Sequence, residues 1–289
     1  MTKGKNYLYI VCAFILGVLL TVFIMIACYS KASKYAKEYI LEYGDSFKEV
    51  KILDTRENSV NLEENMKEYT FVFYVDKNCR ACLNSLETIS QINKIYSDKY
   101  ANVVILWENE IELNYAKKKG IPIENNYKLD KAYINTVTPT CYILDSNLNI
   151  IFCGVGIEDM IKKIKQLDIP MDEIHNAVNR NIIEPIIQAE NKENKKVLVY
   201  FSMIGCPDCE AAEKVINSSD IQKKYNIVTL YRDRENVPME KQSKIDHSNL
   251  LSKLYDIVWY PSFLVIDEDD QYKQIGETSI AELKKQLLY

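Results

Sequence analysis

Glycine and proline are scarce in this chain, with 8 and 7 of them in 289 residues, and no low-complexity tract interrupts it. With 47% hydrophobic and 27% charged residues, the composition is that of a globular protein and excludes a largely disordered chain. Basic clustering is missing too. Arginine occurs five times (Arg56, Arg80, Arg180, Arg232, Arg234), acidic and basic residues interleave, and the net charge is -5. No basic stripe is left for a phosphate backbone, so nucleic acid is set aside as a partner. Histidine is limited to His175 and His247, both remote from the cysteine pairs, and both read as solvated surface groups. The length suffices for two domains of about 100–150 residues, each able to bury a core.

Charge is absent altogether from Asn6 to Ser30, and residues 7–28 read YLYIVCAFILGVLLTVFIMIAC. As a helix such a run spans about 30 Å of hydrocarbon. It exceeds the apolar core of a cleaved signal peptide, and no clear small-x-small site follows, so a retained signal anchor is expected after a tail over residues 1–6. One alternative stays open: Met25-Ile26-Ala27-Cys28 loosely matches a lipobox, in which Cys28 would carry lipid. Lysines flank the run on both sides, so the charge rule barely orients it. Over residues 29–45, Ala32, Tyr35, Ala36, Tyr39, Ile40 and Tyr43 recur at helical spacing up to Gly44, predicting a juxtamembrane helix that stops at the glycine.

Eight cysteines are unevenly placed: Cys12 and Cys28 in the apolar run, Cys79 with Cys82, Cys206 with Cys209, then Cys141 and Cys153. The pairs share a setting. Residues 70–75 (TFVFYV) read as a buried strand, and Cys79 follows at the start of a helix whose apolar residues recur at Cys82, Leu86, Ile89 and Ile92. Then come an apolar run at 102–107, a helix ending near Gly120, a second helical stretch, Thr138-Pro139, a hairpin over 141–152 and a last helix near Ile157. The second half repeats the order: a strand at 197–201, the helix CPDCEAAEKVI from Cys206, a strand at 227–231, Tyr260-Pro261, a hairpin over 263–275 and a closing helix over 280–288. Domains are therefore expected over 46–170 and 191–289, joined by a linker over 171–190.

A cysteine at a helix N-terminus gains thiolate character from free N–H groups and the helix dipole, which suits thiol-disulfide exchange. Cys79 and Cys206 are the attacking candidates; Cys82 and Cys209, one turn on, are the resolving ones. A shared zinc site would need the pairs close in sequence, but more than 120 residues separate Cys82 from Cys206. No metal is expected. A three-residue loop at 146–148 would set Cys141 opposite Cys153, which makes a further disulfide geometrically feasible beside the reading of two small buried hydrophobes.

Strand, CxxC at the following helix start and x-Pro before the next hairpin resemble the thioredoxin superfamily in both halves. The stretch VTPTCYILDSNLNIIFCG is similar to the hairpin of tethered reductases that serve cytochrome c maturation, and GCPDCEAAEKV resembles CPDC-type thioredoxin relatives. The resemblance implies an α/β fold, with two tandem thioredoxin-like domains, each a central mixed sheet flanked by helices, behind the transmembrane anchor. It also implies that Pro139 and Pro261 are cis, and that Thr138 and Tyr260 offer backbone to a substrate. The expected activity is exchange of disulfides with exported proteins, with no cofactor beyond the redox-active disulfides, a redox partner that is membrane-bound or soluble, and both domains outside the cytoplasm. The rival is a binding or chaperone module whose CxxC pairs only staple the fold. One departure stands out: the buried Asp that many thioredoxins carry six residues before the first Cys is Phe73 here and Tyr200 in the second half.

Overall fold

The computed structural model describes residues 17–26, 41–63, 67–108, 110–129, 137–189, 195–233, 237–238, 241, 244–267, 272–276 and 278–289. Residues 17–26 form a helix, α1, with exposed apolar side chains. It belongs to a compact unit separate from residues 43–130 and 137–289. Among the described residues no helix is long and apolar enough to cross a membrane. The remainder of the expected anchor, and the juxtamembrane helix up to residue 40, lie outside the described residues. Gly44 has φ +90°, a conformation other residues rarely adopt, and its N–H donates to the Ile150 carbonyl at 2.8 Å.

The larger unit contains two sheets. The first is built from β1 (Ile52–Leu53), β2 (Ser59–Val60), β3 (Tyr69–Val75), β4 (Ala101–Trp107), β5 (Asn126–Leu129), β6 (Thr140–Leu144) and β7 (Ile150–Val155), in the order β2-β1-β5-β4-β3-β6-β7. Its helices are α2 (Arg80–Tyr96), α3 (Leu113–Lys118) and α4 (Ile157–Ile164). Every residue of β3 after Tyr69 is buried, the pattern of a strand covered on both faces, which is why its sequence is a continuous apolar run. Up to Leu129 the helical stretch expected after Gly120 is instead a 3₁₀ turn, Ile123–Asn125, followed by β5, which pairs in parallel with β4; the rest of it lies outside the described residues.

The second sheet comprises β8 (Lys196–Ser202), β9 (Tyr225–Arg232), β10 (Ile245–Asp246), β11 (Ser262–Ile266) and β12 (Tyr272–Ile275), in the order β10-β9-β8-β11-β12. Helices α7 (Pro207–Ile216), α8 (Ser219–Lys224), α9 (Leu250–Leu254) and α10 (Ile280–Leu288) accompany it. The order and pairing match the run β5-β4-β3-β6-β7 of the first sheet. In each, the strand before the CxxC lies parallel to the next strand and antiparallel to the first hairpin strand.

Residues 171–189, expected as a linker, are helical throughout: α5 (Met171–Val178), a π-helical turn (Asn179–Ile183) and α6 (Glu184–Ala189). Their apolar stripe, Ile174, Val178 and Ile183, is at most 1% exposed. It joins Ile89 and Ile92 of α2, and Leu250 and Leu254 of α9, in one hydrophobic core that spans both lobes. The far face of the second sheet has its own cluster, with Leu198, Ala212, Ile216, Leu283 and Leu287.

Two surface readings are corrected by this packing. His175 is 7% exposed, stacked on Tyr255 at 4.4 Å and edge-on to Tyr272 at 4.7 Å, with Nε2 3.2 Å from the Leu254 carbonyl. His247 lies 3.2 Å from the Glu87 carboxylate of α2. The Cys141–Cys153 bridge is corrected as well. A bulge at the Ile143/Leu144 step of the hairpin pairs Cys141 with Gly154 and Tyr142 with Cys153. One extra residue in β7 thus sends the two thiols to opposite faces of the sheet, and no disulfide joins them.

Candidate functional site

Each lobe ends its central strand at a short turn and opens the next helix on a cysteine. Cys79 is the N-cap of α2, with φ -88° and ψ 107°, and its Sγ accepts the N–H of Cys82 at 3.1 Å. Cys206 caps α7 in the same way, with φ -97° and ψ 113°, and accepts the N–H of Cys209 at 3.2 Å. Sulfur thus occupies the place of the Ser or Asp oxygen of an ordinary N-cap, where orphan N–H groups and the helix dipole favour negative charge. Pro207 is suited to the first helical position because its missing N–H would have had no partner there.

Cys79 and Cys82 are joined in a disulfide with Cα atoms 5.2 Å apart, whereas Cys206 and Cys209 are thiols. Cys79 is half-buried and Cys82 wholly buried. In the second lobe Cys206 is 7% and Cys209 2% exposed. Burial, followed by the hydrogen bond to Cys206, pushes the Cys209 thiol up to about 12.

The x-Pro loops meet these sulfurs. Cys79 Sγ lies 3.4 Å from the Thr138 carbonyl and Cys206 Sγ 3.8 Å from the Tyr260 carbonyl, and both Thr138-Pro139 and Tyr260-Pro261 are cis. The hydroxyl following each proline pins its loop: Thr140 Oγ1 donates to the Val137 carbonyl at 2.6 Å, and Ser262 Oγ to the Trp259 carbonyl at 2.8 Å. Apolar side chains stay exposed around both, Val137 and Val155 in the first lobe, Val258 and Trp259 in the second.

All eight sequence-predicted site residues of the two centres are therefore brought together, four in each lobe. Several supporting residues had not been anticipated. Thr140 and Ser262 had a signal in the repeated x-Pro-hydroxyl pattern. Asp246, Ser252 and Arg232 had none. Asp246 is fully buried and accepts the Leu251 N–H at 2.8 Å, the Ser252 N–H at 2.8 Å and the Ser252 hydroxyl at 2.6 Å; burial raises its carboxyl. Ser252 Oγ in turn lies 2.9 Å from the Tyr260 hydroxyl, and the Arg232 guanidinium sits 5.5 Å from the Tyr260 ring centre. The residue before Pro261 is thus fixed through its ring, its hydroxyl and its backbone. Glu87 is engaged by Lys119 and His247. Among the described residues no group of three His, Cys, Asp or Glu converges as metal ligands would.

The family model of the thioredoxin-like domain matches residues 184–289, the segment that holds α6, the second sheet and the Cys206–Cys209 pair. Residues 184–289 are thus similar to a thioredoxin-like domain. Its match begins at α6, inside the segment expected to be a linker. Three solved structures illustrate the likeness of the chain. The thioredoxin domain of a thiol-disulfide oxidoreductase from Bacteroides vulgatus is 16% identical, with TM-score 0.37, over 44% of this chain and 98% of that one. A domain of a possible thiol-disulfide isomerase from Cytophaga hutchinsonii is 21% identical, with TM-score 0.38, over 44% and 92%. A thiol:disulfide interchange protein from Bacteroides sp. is 16% identical, with TM-score 0.37, over 44% and 90%. No curated protein matches the chain.

Proposed function

We propose that the protein is a membrane-anchored thiol-disulfide oxidoreductase that exchanges disulfides with exported proteins through two centres, Cys79 with Cys82 and Cys206 with Cys209. The observation that carries this reading is the doubled geometry: each first cysteine caps a helix, holds the N–H of the second, and faces the carbonyl before a cis-proline. A stapling disulfide needs none of that surrounding apparatus.

At the reduced pair, the Cys206 thiolate attacks a substrate disulfide. One sulfur of the substrate leaves and takes a proton, and a mixed disulfide forms. The Cys209 sulfur then attacks Cys206 Sγ and releases the second substrate thiol, so two electrons pass to the substrate and Cys206–Cys209 becomes a disulfide. The Cys79–Cys82 disulfide runs the reaction backwards on a substrate dithiol. The exposed Val137 and Val155, and Val258 and Trp259, supply apolar contact beside each sulfur, while Thr138 and Tyr260 offer backbone for strand-like pairing. The uncharged run over residues 7–28 supports a single-pass anchor, and the resemblance to tethered thioredoxin-like proteins puts both lobes outside the cytoplasm, within reach of a membrane-bound redox partner.

The test is trapping in cells. Cys82→Ser or Cys209→Ser, which removes the resolving thiol, is expected to accumulate mixed disulfides with exported proteins, identified by mass spectrometry. Absence of any trapped protein, together with unchanged cell phenotype, would replace this reading with a thioredoxin-fold binding module.

A further inference from the structure

The resolving cysteine of the second lobe is surrounded by hydroxyls that the first lobe lacks. Ser202 ends β8 four residues before Cys206 and is 3% exposed; the first lobe carries Val75 at the matching place. Tyr200, where the first lobe has Phe73, donates from its hydroxyl to the Cys209 carbonyl at 2.7 Å and accepts from Ser202 Oγ at 3.2 Å. Through Tyr200 the Ser202 hydroxyl is held beside Cys209, and hydrogen bonding from Ser202 and from the Met203 backbone favours the Cys209 thiolate against the effect of burial. A serine has one proton to donate. It can serve the Tyr200 oxygen while Cys209 is neutral and turn to the sulfur once that carries charge, where the bond is stronger. Tyr200 loses little in the exchange, because its own proton stays on the Cys209 carbonyl.

We propose that Ser202 is the hydrogen-bond donor that stabilises the Cys209 thiolate when the second centre releases its substrate, a device absent from the first centre. The proposal rests on the oxidoreductase reading. In the step concerned, Cys209 gives up its proton, its sulfur forms a bond to Cys206 Sγ, the bond from Cys206 to the substrate sulfur breaks, and the departing thiolate takes up a proton. Ser202 never ionises; it lowers the energy of the negative sulfur between the two proton movements. Other titratable groups around this pocket are Cys206, Glu213 on the next turn of α7 and Tyr231 on β9, together with one cation, Arg232, whose guanidinium is engaged by Met203 Sδ at 3.9 Å and by the Tyr260 ring.

The test uses the full-length chain with Cys206 and Cys209 as its sole cysteines, the others replaced by serine and Cys141 by alanine, and an aromatic disulfide, dithiobis-nitrobenzoate, as probe. Attack by Cys206 releases one equivalent of coloured thiol and resolution by Cys209 a second, so the two steps are timed separately. Ser202→Ala is expected to leave the first release unchanged, to slow the second at least about tenfold at neutral pH, as loss of a hydrogen bond to a charged group implies, and to move its pH midpoint upward. Ser202→Thr should restore both. Ser202→Val, which installs the first lobe's side chain, must show the same slowing, so a packing defect peculiar to alanine is not mistaken for the effect. A second release with unaltered rate and pH midpoint in both Ala and Val variants overturns the role of Ser202 and leaves the oxidoreductase reading intact. A parent protein that gives no second release at all overturns the oxidoreductase reading instead.

Discussion

Arg80 stands beside Cys79, whereas Asp208 and Glu210 occupy the first turn after Cys206. A neighbouring cation favours a thiolate and anions oppose it, so the reduced form is stabilised more at the first pair, which is expected to be the more oxidising. One pKa unit corresponds to about 30 mV for a two-electron couple, and because Arg80, Asp208 and Glu210 are all exposed, screening will reduce the difference. Equilibration of each isolated pair with glutathione measures it; a second pair equal to or above the first would refute the assignment. His175 gives a second prediction at this scale. Burial holds its imidazole below the usual histidine range, while Asp172 and Asp256 pull upward and Lys165 downward. A depressed histidine stabilises the fold in full above its unfolded value of about 6.5 and loses that contribution as the pH falls toward the folded value. Melting temperature should therefore drop between neutral pH and pH about 5, and His175→Gln should flatten that dependence even if it lowers stability overall. Equal slopes in the two proteins would show that His175 is not the titrating group.

The helical segment over 171–189 gives the element-scale result. Its residues alternate between apolar and polar at helical spacing, which is also how a surface helix of a linker would read. What makes it structural is the matching apolar surface on α2 and on the second sheet, where Ile174 and Val178 meet the shared core. Ile174, 1% exposed, should cost about 2–4 kcal/mol when cut to alanine, read as a shift in the denaturant midpoint without loss of cooperativity. The β6–β7 hairpin carries the opposite lesson, since one bulged residue decides which face a cysteine takes. Peptide mapping under non-reducing conditions is expected to find no Cys141–Cys153 bridge.

Over the larger compact unit the two lobes share a core, so neither is a bead on a string. Ile174, Val178, Leu250, Leu251 and Leu254 would be left facing water if the halves were separated. Residues 43–289 should melt in a single transition by calorimetry, and residues 184–289 expressed alone should melt lower or aggregate. Two well-separated transitions would show instead that the shared core contributes little. Apart from that unit, deletion of residues 1–40 should move the protein from the membrane fraction to the soluble one.

Most of the local architecture was written in the sequence. Continuous apolar runs announced β3 and β8, because strands covered on both faces have no alternation to show, and each CxxC marked a helix start, because a sulfur there has N–H groups to receive. The x-Pro dipeptides placed the loops that face those sulfurs. Short strands such as β1, β5 and β10 were not legible, since two to four residues carry too little periodicity and owe their strand state to a neighbour's hydrogen bonds. Only the tertiary structure decided that His175 is buried, that Asp246 and Ser252 hold Tyr260, and that Ser202 and Tyr200 join in a hydrogen-bonded chain to Cys209. Each of those depends on partners many residues away in the chain, and contact across a fold leaves no mark in local pattern. The sequence by itself determined which cysteines open helices; the packing around them determined how unlike their two environments are.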